Sequence, residues 1–414
     1  MKIETKARLS FMMFLEFFIW GGWFVTLGAF LPQNLQASGT QTAAAFSTQS
    51  FGAIIAPFII GLIADKYFNA ERILGVLHLI GAALMFLMFR ADNFAEFYPY
   101  VFAYMVAYMP TLALVNSVSF NQMKDPTKEF AVIRVWGTIG WIIAGWLISY
   151  FAWDSTAGLQ DGLLRNTFML SGIASAVLGF YSFTLPKTPP KIPKGEKLRI
   201  SDVLGLDALR LLKNRNFLIF FISSILICIP LAFYYQNANP FLIDVGMPNP
   251  TGKMTIGQIS EALFLLLLPV FFTKYGFKKT LLVGMVAWVV RYALFAFGDA
   301  GSGAYMLLIG IALHGICYDF FFVSGQIYTD SKAGERYKSA AQGMITLATY
   351  GVGMLIGFWV AGLVTDHFVN ADQTKDWQTI WLIPSGIAVV VTLLFLVLFK
   401  EEKIVKEEVL EKVA

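Results

Sequence analysis

Long apolar runs, each about the length of a bilayer crossing and separated by polar connections, recur from one end of the chain to the other. A helix needs about 20 apolar residues to cross the hydrocarbon core. Twelve such runs are predicted, at roughly residues 10–32, 43–63, 73–91, 98–120, 131–153, 166–185, 216–240, 255–273, 280–298, 303–328, 340–365 and 378–399. They predict an all-α integral membrane protein. The connection over residues 186–215 stands apart, with Pro186, Pro189, Pro190, Pro193 and eight basic residues. It divides six runs from six. The expected layout is an N-terminal six-helix bundle over 1–185, a cytoplasmic linker loop over 186–215, a C-terminal six-helix bundle over 216–399 and a cytoplasmic tail over 400–414.

Composition supports the membrane class, since hydrophobic residues make up 57% of the 414 and charged ones 14%, well short of the usual quarter charged in a soluble domain. With the N-terminus inside, the inner segments hold 25 of the 31 lysines and arginines, and the outer loops keep Arg90, Arg165, Lys253 and Lys375. Loops retained in the cytoplasm carry the basic excess, so both termini are expected there. This asymmetry accounts for the net charge of +4 and leaves no basic patch for a nucleic acid. Lys2, Lys6 and Arg8 resemble the start of a signal peptide, but the run after them reaches Pro32 without a cleavage pattern, so it is expected to remain as the first span. Cys228 and Cys317 fall within spans, as small hydrophobes. His78, His314 and His367 show no metal spacing and are assigned no role beyond helix packing. No metal or cofactor is expected. An enzyme is not expected either, because no nucleophile and base, or metal set, clusters at one membrane face.

Five ionisable side chains interrupt the spans: Glu16, Arg134, Glu261, Arg291 and Asp319. An unpaired charge is expensive there, so each is suspected of a function. Arg134, Thr138 and Trp141 stand at i, i+4, i+7, placing a guanidinium, a hydroxyl and an indole on one face of the fifth span. That face can grip a polar solute, unless the arginine snorkels to the boundary. Gln258 and Glu261, at i, i+3 on the eighth span, present an amide and a carboxyl together, to a ligand or as a bridge between helices. Asp319 begins a face with Phe322 and Gln326, with Tyr318 about 100° round the helix. Glu16 shares a face with Trp20 and Trp23, as a proton site or as a neutral hydrogen-bonder. In the seventh span Tyr234, Tyr235, Gln236, Asn237 and Asn239 lie between Pro230 and Pro240, and kinked polar stretches of this kind bind substrates. Asn237 and Asn239 are expected at the outer interface. The amides, hydroxyls and aromatics around these charges point to binding and moving a polar solute.

Weak internal echoes fall at matching places in the two halves. Asp65-Lys66-Tyr67 after the second span recurs as Thr273-Lys274-Tyr275 after the eighth; Gly137-Thr-Ile-Gly140 with Ala144-Gly145 in the fifth recurs as Gly351-Val-Gly353 with Ala361-Gly362 in the eleventh. Parallel six-helix halves are the layout of the major facilitator superfamily. Gly61-Leu-Ile-Ala-Asp65-Lys66 with Arg72 resembles that superfamily's signature after the second span, with Phe68 in place of the usual glycine. The resemblance implies that Asp65, Lys66 and Arg72 act as a conformational gate.

A closer resemblance, over nearly the whole chain, is to the nucleoside:proton symporter family of that superfamily, the NupG-type nucleoside permeases. It rests on Trp20-Gly-Gly-Trp23 with Thr26-Leu-Gly28, Ala107-Tyr-Met-Pro-Thr111 with Asn116, Ile133-Arg-Val-Trp-Gly-Thr-Ile-Gly140, Leu204-Gly-Leu-Asp-Ala208, Gln258-Ile-Ser-Glu261, Tyr318-Asp-Phe-Phe321 and Asp376-Trp-Gln-Thr379. It implies twelve helices in the major facilitator fold and proton-coupled uptake of a nucleoside, purine or pyrimidine, by alternating access. The setting implied is a bacterial cytoplasmic (inner) membrane and the unit a monomer. Substrate contacts are then expected from Arg134, Thr138, Trp141, Tyr235, Gln258, Glu261, Tyr318, Asp319 and Phe322, with Trp141 as an aromatic for the base. Asp319 is expected to pair with Arg134, and the coupled proton to ride on Asp319, Glu261 or Glu16. Arg291 is expected to be structural and to snorkel outward. Family members carry a glutamine and an asparagine where this chain has Ala232 and Tyr235, which leaves substrate preference open. The competing readings are a facilitator for another neutral solute, such as a sugar or oligosaccharide, and a nutrient receptor that does not transport.

Overall fold

The computed structural model describes residues 2–59, 67–124, 126–190 and 206–400. The first half contains α1 (Ile3–Gly21), α2 (Leu27–Leu35), α3 (Gly39–Ile59), α4 (Ala70–Arg90), α5 (Phe94–Asn121), α6 (Pro126–Tyr150), the short α7 (Thr156–Gln160) and α8 (Asn166–Ser182). After a 3₁₀ turn at Leu206–Lys213 come α9 (Arg215–Asp244), α10 (Pro250–Tyr275), α11 (Phe277–Phe297), α12 (Ala304–Ala312), α13 (His314–Tyr318), a π turn (Asp319–Val323) and α14 (Ser324–Thr346). A second π turn (Leu347–Gly353), α15 (Met354–His367) and α16 (Trp377–Leu398) complete the chain. Asp65 and Lys66 lie outside the described residues; Arg72 is exposed in the first turn of α4.

Among the described residues ten stretches are long and apolar enough to cross a membrane. The first two predicted spans complete the twelve, and the first of them is broken. Its helix stops at the Gly21-Gly22 pair, where glycine costs helix stability, and Thr26 Oγ1 turns back to the Trp23 carbonyl at 3.1 Å before α2 resumes. Elsewhere the helix starts follow local chemistry. Asn93, Asn214 and Asp376 each accept the backbone N–H three residues on, at 3.0–3.1 Å, satisfying a donor that the first turn leaves free. Gly334 takes a left-handed φ of 64° and bends α14, separating the tenth passage from the eleventh.

By internal contacts the chain parts into two units, one of Met1–Ala37, Ala44–Val203 and Asn249–Gly252, the other of Ser38–Ala43, Leu204–Pro248 and Lys253–Ala414. Two small segments sort away from their sequence neighbours because carboxylates hold them. Asp366 accepts the N–H groups of Gly39 and Thr40 at 2.5 and 2.8 Å, and Asp154 accepts that of Thr251 at 2.9 Å. Each acid meets the positive end of a helix, α3 or α10.

Inside the first unit α1 packs on α6 and α8, and α4 packs on α8 and α5. Inside the second, α9 packs on α15 and α16, and α11 packs on α16, α12 and α13. In passage order these are the same pairs, which gives the weak sequence echoes a structural basis. Close approach of α1 and α6 depends on small residues, since a Cβ at Gly140 would run into the Phe14 carbonyl and one at Gly21 into Trp141. Where the linker leaves the first unit, Glu71 accepts the Thr188 N–H at 2.8 Å while Ala70 donates to the Thr188 carbonyl.

Candidate functional site

In the first unit Arg134, Thr138 and Trp141 share one half-buried face of α6. The Arg134 guanidinium lies 3.9 Å over the Phe17 ring, a cation–π contact within the bundle. Trp141 meets Trp20 edge-on at 5.7 Å, and Trp20 in turn meets Tyr108 at 5.7 Å. Phe17, Trp20, Thr138 and Trp141 are all partly exposed. Together they offer a cation, a hydroxyl and flat aromatic edges, a combination suited to an aromatic solute with polar groups.

Glu16 does not join that face. It is fully buried, with Oε2 2.8 Å from His78 Nε2 and Oε1 accepting the Thr111 hydroxyl at 2.6 Å, while Tyr108 donates to its backbone carbonyl. Trp23 is buried as well, against Tyr104 and Phe168. The expected grouping of Glu16 with Trp20 and Trp23 as one face thus divides. His78, given only a packing role from the sequence, is the carboxyl's partner.

In the second unit Gln258, Glu261, Tyr235, Tyr318, Phe322 and Tyr350 are each partly exposed, Glu261 by 35%. The Tyr318 and Tyr350 hydroxyls are 2.7 Å apart, and the Tyr318 and Phe322 rings lie 5.3 Å apart. Gly315 lets this region close up, because its N–H reaches Ser260 Oγ at 3.0 Å and a Cβ there would strike the Ser260–Glu261 backbone. Asp319 opens a π turn and is buried, with neither carboxyl oxygen hydrogen-bonded among the described residues. The expected face of Asp319, Phe322 and Gln326 divides by burial, with Asp319 buried, Phe322 half-exposed and Gln326 exposed.

Arg291 corrects its expectation: it is fully buried and does not snorkel outward. Its guanidinium lies 3.6 Å over the Tyr234 ring, and Nη1 is 3.0 Å from His314 Nδ1. A guanidinium only donates, so Nδ1 accepts and the imidazole hydrogen sits on Nε2, 3.9 Å from Glu261 Oε2. The physical reason for the inward turn is this stack of aromatic faces, which holds a cation that lipid would not. Asn237 and Asn239 are corrected too. They are buried, Asn237 donating to Thr365 at 3.1 Å and Asn239 reaching the Met254 sulfur at 3.7 Å, so they tie α9 to α15 and α10.

The model of the nucleoside H+ symporter family matches residues 2–404. The chain belongs to the nucleoside H+ symporter family. Among its relatives, YegT of Escherichia coli is 41% identical over 407 residues, 96% of this chain and 95% of that one. Xanthosine permease of Escherichia coli is 34% identical over 413 residues, 96% of each. A crystal structure of the nucleoside transporter NupG superposes with a TM-score of 0.84 at 31% identity, covering 97% of this chain and 100% of that chain. The peptide-transporter-family protein PepTSo, at 15% identity and a TM-score of 0.73, shares the fold.

As a member of the symporter family the chain is a multi-pass membrane transporter of the major facilitator fold, not an enzyme. Of the residues singled out in the sequence, Arg134, Thr138 and Trp141 come together in one unit, and Tyr235, Gln258, Glu261, Tyr318 and Phe322 fall in one half-exposed region of the other. His78, Thr111, Ser175, His314 and Tyr350 were missed. Only the scarcity of histidine, three in 414 residues, hinted that two of them sit on buried charges.

Proposed function

We propose that this protein takes nucleosides up across a bacterial cytoplasmic membrane, coupled to protons and by alternating access. The family match over nearly the full chain is the observation that carries the reading. The polar and aromatic faces fit a solute with a flat base and a hydroxylated sugar. Arg134 and Thr138 supply a cation and a hydroxyl, and Trp141 and Phe322 supply ring surface for the base. Gln258 and Glu261 pair with base or ribose donors and acceptors, with Tyr235 and Tyr318 beside them. Asp319, Glu261 and Glu16 are the carboxylates assigned to the coupled proton. Asp319 is buried with neither carboxyl oxygen hydrogen-bonded among the described residues, which leaves both oxygens open to a proton. The basic inner connections support cytoplasmic termini.

Uptake of labelled uridine and adenosine into proteoliposomes, with and without an imposed pH gradient, tests the reading. Accumulation inside when the outside is acid is the expected result. Failure to move either nucleoside, with sugars carried instead, would establish the neutral-solute facilitator; binding without flux would establish the receptor.

A further inference from the structure

The Glu16 cluster is more than a buried ion pair, because each end of it finishes in a hydroxyl with two acceptors in reach. Ser175 Oγ lies 2.8 Å from the His78 carbonyl and 3.1 Å from His78 Nδ1. Thr111 Oγ1 lies 2.6 Å from both Glu16 Oε1 and the Tyr108 carbonyl. Each hydroxyl has one hydrogen and two places to put it. Between them, Glu16 Oε2 and His78 Nε2 are 2.8 Å apart, so a hydrogen lies on that line.

Two complete arrangements follow. In the first, Ser175 donates to Nδ1, Nε2–H donates to Oε2 and Thr111 donates to Oε1: a neutral imidazole and a carboxylate, net charge −1. In the second, a proton has been added at Nδ1, which now donates to Ser175 Oγ, and the Ser175 hydrogen has turned to the His78 carbonyl. The imidazole and carboxyl then share two hydrogens with net charge zero. The proton comes from water and returns to it, and no heavy-atom bond changes. Every side-chain polar atom of Ser175, His78, Glu16 and Thr111 keeps a partner in both states.

We propose that Ser175, His78, Glu16 and Thr111 form a proton-binding site inside the first unit, separate from Asp319 and Glu261, which loads and releases one proton. Its surroundings fit that use. α5 brings Tyr104 and Tyr108, the latter bonded to the Glu16 carbonyl at 2.8 Å. α6 brings the Arg134 cation over Phe17, the residue next to Glu16. α8 brings Ser175 and, a turn and a half further on, Tyr181, whose hydroxyl is bonded to the Arg8 carbonyl. Glu16 and His78 are themselves 0% and 1% exposed.

The link to transport rests on the proton-coupled reading above, but the site itself is tested without any solute. Nitrogen-15 spectra of the purified protein, labelled at its three histidines, would follow Nδ1 and Nε2 of His78, assigned by loss of the signal in His78→Gln. On acidification His78 is expected to change from protonated at Nε2 alone to protonated at both nitrogens. Proton counting should give about one proton more for the wild type than for Glu16→Gln. Thr111→Val, which removes the hydroxyl donor to the carboxylate, should move the midpoint of that change. A His78 signal that does not change, with equal proton counts in wild type and Glu16→Gln, would overturn the proposal and leave a fixed ion pair. Should the wild type carry no nucleoside, the titration would still decide on the site, so the two readings fail separately.

Discussion

Single side chains here are read correctly only with their partners. Arg291 illustrates this: in the sequence it is a lone cation in the ninth span, and in the fold it is stacked on Tyr234 and bonded to His314. His314→Phe would keep a ring against Tyr234 but remove the acceptor. A buried donor without a partner costs about 1–3 kcal/mol, so the Tm in detergent should fall by several degrees. Adding Arg291→Met, which removes the stranded donor, should recover part of the loss. A single mutant with wild-type Tm would show that the bond contributes nothing. Asp319, by contrast, is buried with neither carboxyl oxygen hydrogen-bonded among the described residues.

Helices approach one another here through glycine, and their ends are closed by short polar residues. Gly140→Ala would place a methyl group against the Phe14 carbonyl and should cost about 1–3 kcal/mol, because backbone cannot move aside as a side chain can. Gly343, with open space around its Cβ position, is the control. Its change to Ala should stabilise by about 0.5–1 kcal/mol; thermal unfolding of both variants checks the pair. At the head of α16, the Thr379 hydroxyl and N–H hold the Asp376 carboxyl below the usual carboxylate range. A lowered folded-state value means the cap stabilises above the ordinary carboxylate range and is lost as pH falls through the lowered one. The difference in Tm between wild type and Asp376→Ala should therefore be present at neutral pH and vanish in acid; a gap independent of pH would assign the effect to something other than this carboxylate.

For the molecule as a whole, coupling sets a ceiling that can be measured. One proton per nucleoside permits about tenfold accumulation for each unit of pH gradient, and two permit about a hundredfold, since each unit is worth 1.36 kcal/mol per proton. With carboxylates assigned in both units, a limit near the larger figure is expected at zero membrane potential, read as the plateau of labelled uridine in proteoliposomes. A plateau near tenfold would restrict coupling to a single site. By itself the sequence determined the number of passages, the helical class and the family, because a bilayer demands long apolar runs and ordered motifs survive along them. It also singled out Arg134, Thr138 and Trp141, since helical spacing alone puts them on one face. Only the tertiary structure decided the pairing of Glu16 with His78, the inward turn of Arg291, and the burial of Asn237 and Asn239. Those outcomes depend on which residue of another helix arrives opposite, which periodicity within one helix cannot carry.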